Sequence, residues 1–193
     1  MPIIHKIEEK EITILVWEIT ETLEELQVLL GGLNISNHTS EKRKKEQLTT
    51  RLLVKEILPN KRIIYNKFGA PELDNGQHIS ISHSAGLVAV IISHEKTGLD
   101  IEKISEKTLL LASKFVSEKN LINLDKEKST LIWCLKEAIY KWEQKGGVDF
   151  IKDIIITEFT HKEHGKVIAF LKNKKLNLNY QKINDHYLVY ICN

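Results

Sequence analysis

The sequence predicts an α+β protein of two pseudo-symmetric lobes, each a long helix packed on a small antiparallel sheet. Three observations predict it. Apolar residues recur at helical spacing over 41–58 and again over 128–145. Each of these segments is followed by about three short runs with strand character. No low-complexity or linker-like stretch divides the 193 residues, so an N-terminal lobe (1–95) and a C-terminal lobe (96–193) are expected to pack as one unit, joined between Ser93 and Gly98. At 42% hydrophobic residues the chain can fill a real core.

The elements follow in order. EITILVWEI (11–19) has the β-branched and aromatic content of a strand. Thr20 is placed to cap a short helix over 21–30 that stops at Gly31-Gly32. Thr39 or Ser40 caps the first long helix, whose Leu48, Leu52 and Ile57 share a face and which Pro59 ends. RIIYN (62–66) is read as a strand, FGAPELDNG (68–76) as turn and loop, and HISIS (78–82) and LVAVIIS (87–93) as strands. LDIE (99–102) is a further short strand. KTLLLASKF (107–115) is helical, a second piece opens at Ser117, and the second long helix ends at Gly146-Gly147. The rest is strand: FIKDIIITEF (150–159), KVIAFL (166–171), a polar stretch through KLNLNY (175–180), and HYLVYIC (186–192).

Composition narrows the function classes. The longest apolar run, Leu87 to Ile92, falls far short of the roughly 20 residues of a membrane span, and the opening MPIIHKIEEK is too charged for a signal sequence. A cytoplasmic monomer is expected, with neither membrane nor nucleic acid as partner. Cys134 and Cys192 form no CxxC and sit beside no histidine cluster, which points away from a zinc site or a disulfide framework. The formal charge is only +2, but unevenly spread. Residues 1–30 hold two lysines against seven glutamates, a net of −5, whereas residues 41–62 hold eight Lys/Arg against three Glu, a net of +5. Such a basic segment suits a small polyanion or an acidic partner.

Three motifs carry chemistry. In WCLKEAIYKW (133–142), Leu131, Leu135, Ala138 and Trp142 make the buried stripe of a helix, and Trp133, Glu137, Tyr140 and Lys141 fall on its other side. Glu137 and Lys141 are an ordinary i, i+4 surface pair by themselves, yet large rings beside them cover either a ligand or a packed loop. In GLDIEK (98–103), strand alternation sets Asp100 and Glu102 on one face with Cα atoms about 7 Å apart. Taken alone, the pair also fits an exposed polar face. With Glu137 as a third carboxylate the set suits Mg²⁺ completed by waters and substrate phosphates, and Lys136 and Lys141 would then neutralise developing negative charge. In HISISHS (78–84), hydroxyls, an imidazole and the turn after Ser84 fit a phosphate cradle, or equally strand-end residues satisfied by nearby backbone. No nucleophile elbow surrounds either serine.

ISISHS, GLDIEK and WCLKEAIYK, in this order and at these gaps, resemble the motif set of the Sfp-type 4′-phosphopantetheinyl transferases over residues 67–147. Length and the two-lobed reading fit that branch rather than the half-length trimeric holo-acyl-carrier-protein synthases. The resemblance implies a phosphopantetheinyl-transferase-like fold and transfer of the phosphopantetheine arm of coenzyme A to a serine of an apo acyl or peptidyl carrier protein, releasing adenosine 3′,5′-bisphosphate. It implies Asp100, Glu102 and Glu137 as Mg²⁺ ligands, and Glu137 also as acceptor of the serine proton, directly or through a water. Lys141 would contact the pyrophosphate and assist the leaving group, Ser82 and His83 would hold phosphates, and Lys136 matches a lysine of the family pattern. Arg43, Lys45 and Arg51 are candidates for the 3′-phosphate, against a solvated helix face as their ordinary role. Gly69-Ala70-Pro71 stands where the family often has Gly-Lys-Pro, so a lysine contact near the adenine is missing while backbone contacts at Gly69 and Pro71 could persist. The rival readings are a metal-dependent phosphodiesterase or nuclease using the same carboxylates, and a non-catalytic coenzyme- or carrier-binding module.

Overall fold

The computed structural model describes residues 3–32 and 40–192. It is an α+β fold of two main antiparallel sheets, each covered by one long helix. The first sheet has the order β1-β2-β6-β5, built from β1 (Ile3–Glu9), β2 (Ile12–Glu18), β6 (Leu87–Ser93) and β5 (His78–Ser84). The second runs β7-β11-β10-β9-β8, from β7 (Thr97–Lys103), β11 (His186–Cys192), β10 (Lys174–Ile183), β9 (His164–Leu171) and β8 (Ile154–Ile156). Among the described residues, no helix is long and apolar enough to cross a membrane.

Helix α2 (Glu41–Ile57) covers the first sheet, burying Leu48, Leu52, Leu53 and Val54 against Leu15, Trp17, Ile79, Val88 and Val90. Helix α4 (Lys126–Glu143) covers the second, and its stripe Leu131, Leu135, Ala138 and Trp142 is buried against strands β9 to β11. Each such large apolar side chain contributes about 1.5–3 kcal/mol by leaving water. A third core lies between the sheets, made of Ile14, Val16, Leu87, Ala89 and Ile91 from one and Leu99, Ile101, Leu188 and Tyr190 from the other. This explains why LVAVIIS is apolar without alternation: Val88, Val90 and Ile92 meet α2 while Leu87, Ala89 and Ile91 meet the second sheet, and all seven residues are buried.

Several boundaries differ from those the sequence predicts. The first short helix, α1 (Leu23–Leu29), is capped by Thr22 instead of Thr20, because Thr22 and Glu25 have the T-x-x-E spacing of a capping box and each side chain accepts the other's backbone N–H. Ser40 caps α2 through Arg43 N, and Thr39 lies outside the described residues. Within FGAPELDNG a short strand β4 (Pro71–Leu73) pairs with β3 (Ile63–Tyr65). Residues 107–115 split into α3 (Glu106–Leu110) and a single 3-10 turn, Ala112–Lys114. FIKDIIITEF is strand only at Ile154–Ile156, since Asp149 accepts from Ile151 N and Lys152 N and turns the chain before it. Helix α4 stops at Glu143, with Gln144 left-handed at φ 63°, two residues ahead of the glycine pair.

Two backbone features place the site. The β5–β6 connection is a two-residue turn with Ala85 and Gly86 both at positive φ, 45° and 92°, which matches the twist of a hairpin. Gly98 lets β7 press on α4: a Cβ there would lie 2.2 Å from Ala138 O and 2.7 Å from Trp142 N.

Candidate active site

Alternation along β7 sends Leu99 and Ile101 into the core between the sheets and turns Asp100 and Glu102 to the other face, toward α4. Asp100 is 2% exposed. Its Oδ1 accepts from Ser82 Oγ at 2.7 Å and from Lys141 Nζ at 2.7 Å, and its Oδ2 is buried with no hydrogen-bond partner. Glu102 Oε2 accepts from Ser84 Oγ at 2.8 Å and Oε1 from Trp133 Nε1 at 3.3 Å. Burial, reinforced by the Asp100 charge, holds the Glu102 carboxyl above its usual range. Glu137 stands one turn before Lys141 on α4, and burial followed by the charge of Asp100 pushes its carboxyl up to about 7, against the opposing pull of Lys141. Three carboxylates thus feel one another across a strand and a helix.

The donor set fits a hard divalent cation, which takes carboxylate oxygens and completes its shell with waters or phosphate oxygens: three carboxylates are offered, and Asp100 Oδ2 is buried and unpartnered. Among the described residues no three His, Cys, Asp or Glu side chains close into a metal cage by themselves. The Lys141 ammonium instead holds one Asp100 oxygen.

Lys141 also lines a cleft of about 330 Å³. Tyr140, Gln144 and Gly146 share its side of the cleft, Phe68, Gly69 and Pro71 of the β3–β4 hairpin form a second wall, and Ile81 and His83 of β5 a third. A smaller cleft of about 180 Å³ adjoins it through Tyr65, Ile81 and His83 and is lined by Arg43, Glu46 and Arg51 of α2. Arg51 Nη1 donates to Gln47 O, and His83 Nδ1 lies 3.5 Å from the buried Glu46 carboxylate.

The structure therefore brings Asp100, Glu102, Glu137 and Lys141 to one place, sets His83, Gly69 and Pro71 along the adjoining cleft, and puts Arg43 and Arg51 in the side cleft. Ser82 is turned from both clefts onto Asp100 and is 5% exposed. Lys136 is buried too: its ammonium donates to the carbonyls of Phe150 and Ile154, at 2.6 Å for the latter, and burial lowers its pKa to about 8. Lys45 pairs with Glu41 at 3.5 Å. Trp133 packs between Phe115 and Phe150, whereas Tyr140 meets Phe150 edge-on and faces the cleft. Sequence reasoning passed over Ser80 and Ser84, although the alternation in HISISHS carries the signal. Ser80 Oγ accepts from Leu99 N and Ser84 Oγ from Lys103 N, so Ser80, Ser82 and Ser84 together seam β5 to β7.

The family model of the 4′-phosphopantetheinyl transferase superfamily matches residues 96–192, which include both the β7 carboxylates and α4. The chain belongs to this superfamily. Among curated relatives of the phosphopantetheinyl transferases, it is similar to 4′-phosphopantetheinyl transferase gsp of Aneurinibacillus migulanus, 30% identical over 140 residues that cover 67% of this chain and 57% of that one. It is also similar to 4′-phosphopantetheinyl transferase Sfp of Bacillus subtilis (strain 168), 34% identical over 89 residues, 42% of this chain and 39% of the relative. A third, 4′-phosphopantetheinyl transferase ffp of Bacillus subtilis, is 28% identical over 127 residues, 62% and 53% of the two chains. The chain spans about half the length of the curated relatives it matches.

Proposed function

We propose that the chain transfers the 4′-phosphopantetheine group of coenzyme A to a serine hydroxyl of an apo acyl or peptidyl carrier protein in a Mg²⁺-dependent reaction. One observation carries this reading: Lys141 belongs at once to the acidic cluster, through Asp100 Oδ1, and to the wall of the main cleft. Phosphates lying in that cleft come within reach of the acids that would hold the cation.

Asp100, Glu102 and Glu137 would hold Mg²⁺, which when bound neutralises charge on the pyrophosphate oxygens. Glu137, with its carboxyl near neutrality, is poised to accept the proton of the carrier serine, directly or through a water. The serine oxygen then bonds to the phosphorus bearing the pantetheine arm, the bond from that phosphorus to the bridging oxygen breaks, and adenosine 3′,5′-bisphosphate leaves. Lys141 offsets the charge gathering on that leaving phosphate. His83, at the junction of the clefts, and Arg43 and Arg51 in the side cleft bind phosphates of the coenzyme, the arginines the 3′-phosphate. The backbone at Gly69 and Pro71 lies against its adenine end. Ser82 serves by orienting Asp100. The protein works as a cytoplasmic monomer, and the carrier docks where its lobes, 1–95 and 96–193, meet.

The test is carrier loading: the protein, coenzyme A, Mg²⁺ and an apo carrier are mixed and the carrier is weighed by mass spectrometry. A gain of one phosphopantetheine supports transfer, and coenzyme cleavage without carrier supports a hydrolase instead. Glu137→Gln should lower turnover by about 10²–10⁴-fold while coenzyme binding persists; retained turnover would remove Glu137 as the base.

A further inference from the structure

His186 opens β11 opposite Lys103 of β7, and it is 4% exposed. A buried imidazole is costly where an apolar side chain would pack, unless its N–H groups are used. Its Nε2 lies 3.2 Å from Ser84 O; a carbonyl only accepts, so Nε2 carries the hydrogen and donates. Its Nδ1 sits 2.8 Å from Asp185 Oδ1, outside hydrogen-bond alignment, and Asp185 Oδ2 is in turn held by Lys103 Nζ at 3.1 Å. The ring thus grips the last residue of β5, at the mouth of the Ala85-Gly86 turn. The hydroxyl of that same residue donates to Glu102 Oε2 at 2.8 Å and accepts from Lys103 N at 3.1 Å.

We infer that His186 is a positioning residue for the Glu102 carboxylate, acting through Ser84: the imidazole fixes the Ser84 backbone, and the Ser84 hydroxyl then aims Glu102 beside Asp100. The inference rests on the reading of these carboxylates as cation ligands. Two adjacent carboxylates repel and rotate apart unless each is held from behind. Asp100 is held by Ser82. Glu102 depends on Trp133 for one oxygen and on Ser84 for the other, and Ser84 sits at a strand end with a turn directly after it. Partners of this outer kind govern metal affinity more than substrate binding.

The test uses Mn²⁺ alone as probe, its free signal followed by electron paramagnetic resonance, beside carrier-loading kinetics. His186→Leu should weaken Mn²⁺ binding by about tenfold and lower kcat, with KM for coenzyme A unchanged within about twofold. His186→Gln, whose amide N–H can still reach the Ser84 carbonyl, should recover most of the loss. Because the effect passes through Ser84, the double variant His186→Leu/Ser84→Ala should bind Mn²⁺ no more weakly than Ser84→Ala alone. If His186→Leu fails to fold by circular dichroism, His186→Asn, whose amide is too short for that carbonyl, takes its place with the same expectation. Wild-type binding in a folded Leu or Asn variant, or additive losses in the double variant, overturns the role of His186 alone. A wild-type protein that binds no Mn²⁺ overturns the cation reading together with it.

Discussion

Glu137 is the side chain through which pH acts most directly on this protein. A base must be free of its proton, so under the proposed mechanism the carrier-loading rate should fall at acid pH, with its break below the value of about 7 of the metal-free carboxyl because bound Mg²⁺ favours the carboxylate, as a pH profile of kcat/KM at saturating Mg²⁺ will show. Stability should move the opposite way. The folded carboxyl holds its proton up to about 7 and the unfolded one only to about 4.5, so the folded chain binds more protons between those values and loses stability as pH rises through them. Glu137→Gln cannot ionise; it should be more stable than the wild type by about 1–3 kcal/mol at about pH 8 and equal at about pH 4 in urea melts. Lys136 makes the contrasting case. Lys136→Met strips the donor from two main-chain carbonyls and should cost about 1–3 kcal/mol, with KM for coenzyme A held within about twofold; a large rise in KM at unchanged stability would return Lys136 to the coenzyme. The placement of Glu137 and Lys141 was legible because helical periodicity separates them from the stripe. That of Lys136 was not, since its partners lie 14 and 18 residues on, in a segment whose pattern reads as strand.

At the scale of elements, the approach of β7 to α4 decides whether strand acids and helix acid can share a ligand. Gly98→Ala sets a methyl group 2.2 Å from Ala138 O and 2.7 Å from Trp142 N. Both are backbone atoms of a packed helix, which no rotamer change can move aside. The variant should lose about 2–4 kcal/mol in denaturant unfolding and, where it still folds, lose divalent-cation affinity more than coenzyme affinity. A variant matching the wild type in both would refute the close approach as a requirement. The long helices, the apolar strands and β3 were readable from the residue pattern, whereas β4 was not, because a three-residue strand opened by a proline looks like loop. The opening strand β1 gives a weak signal for a related reason. IIHKIEE is an edge strand in which no residue is fully buried, and its lysine and glutamates blunt the edge.

For the whole molecule, the third core matters most, since neither half can fill it alone. Ile14, Val16 and Ile91 of one sheet and Leu99, Ile101 and Leu188 of the other complete each other. Separating the sheets would expose all of them, so we expect one cooperative transition in urea, with tryptophan fluorescence and far-UV circular dichroism coincident. Trp17 reports from the first sheet, Trp133 and Trp142 from the helix on the second, and two resolved steps would refute the expectation. That the sheets share a core was not legible in the sequence: the apolar run of LVAVIIS announces burial on both faces but not what covers the second one. The serine seam adds a consequence for folding fidelity. Ser80, Ser82 and Ser84 face β7 only because Ile79 and Ile81 face α2. A slip of β5 by a single residue would drive hydroxyls into the apolar layer and set isoleucines against Asp100 and Glu102. Misaligned molecules would then be greasy, unstable and inert all at once, so the quality-control machinery of a cell could recognise a defective enzyme by its exposed oil long before any substrate failed to react.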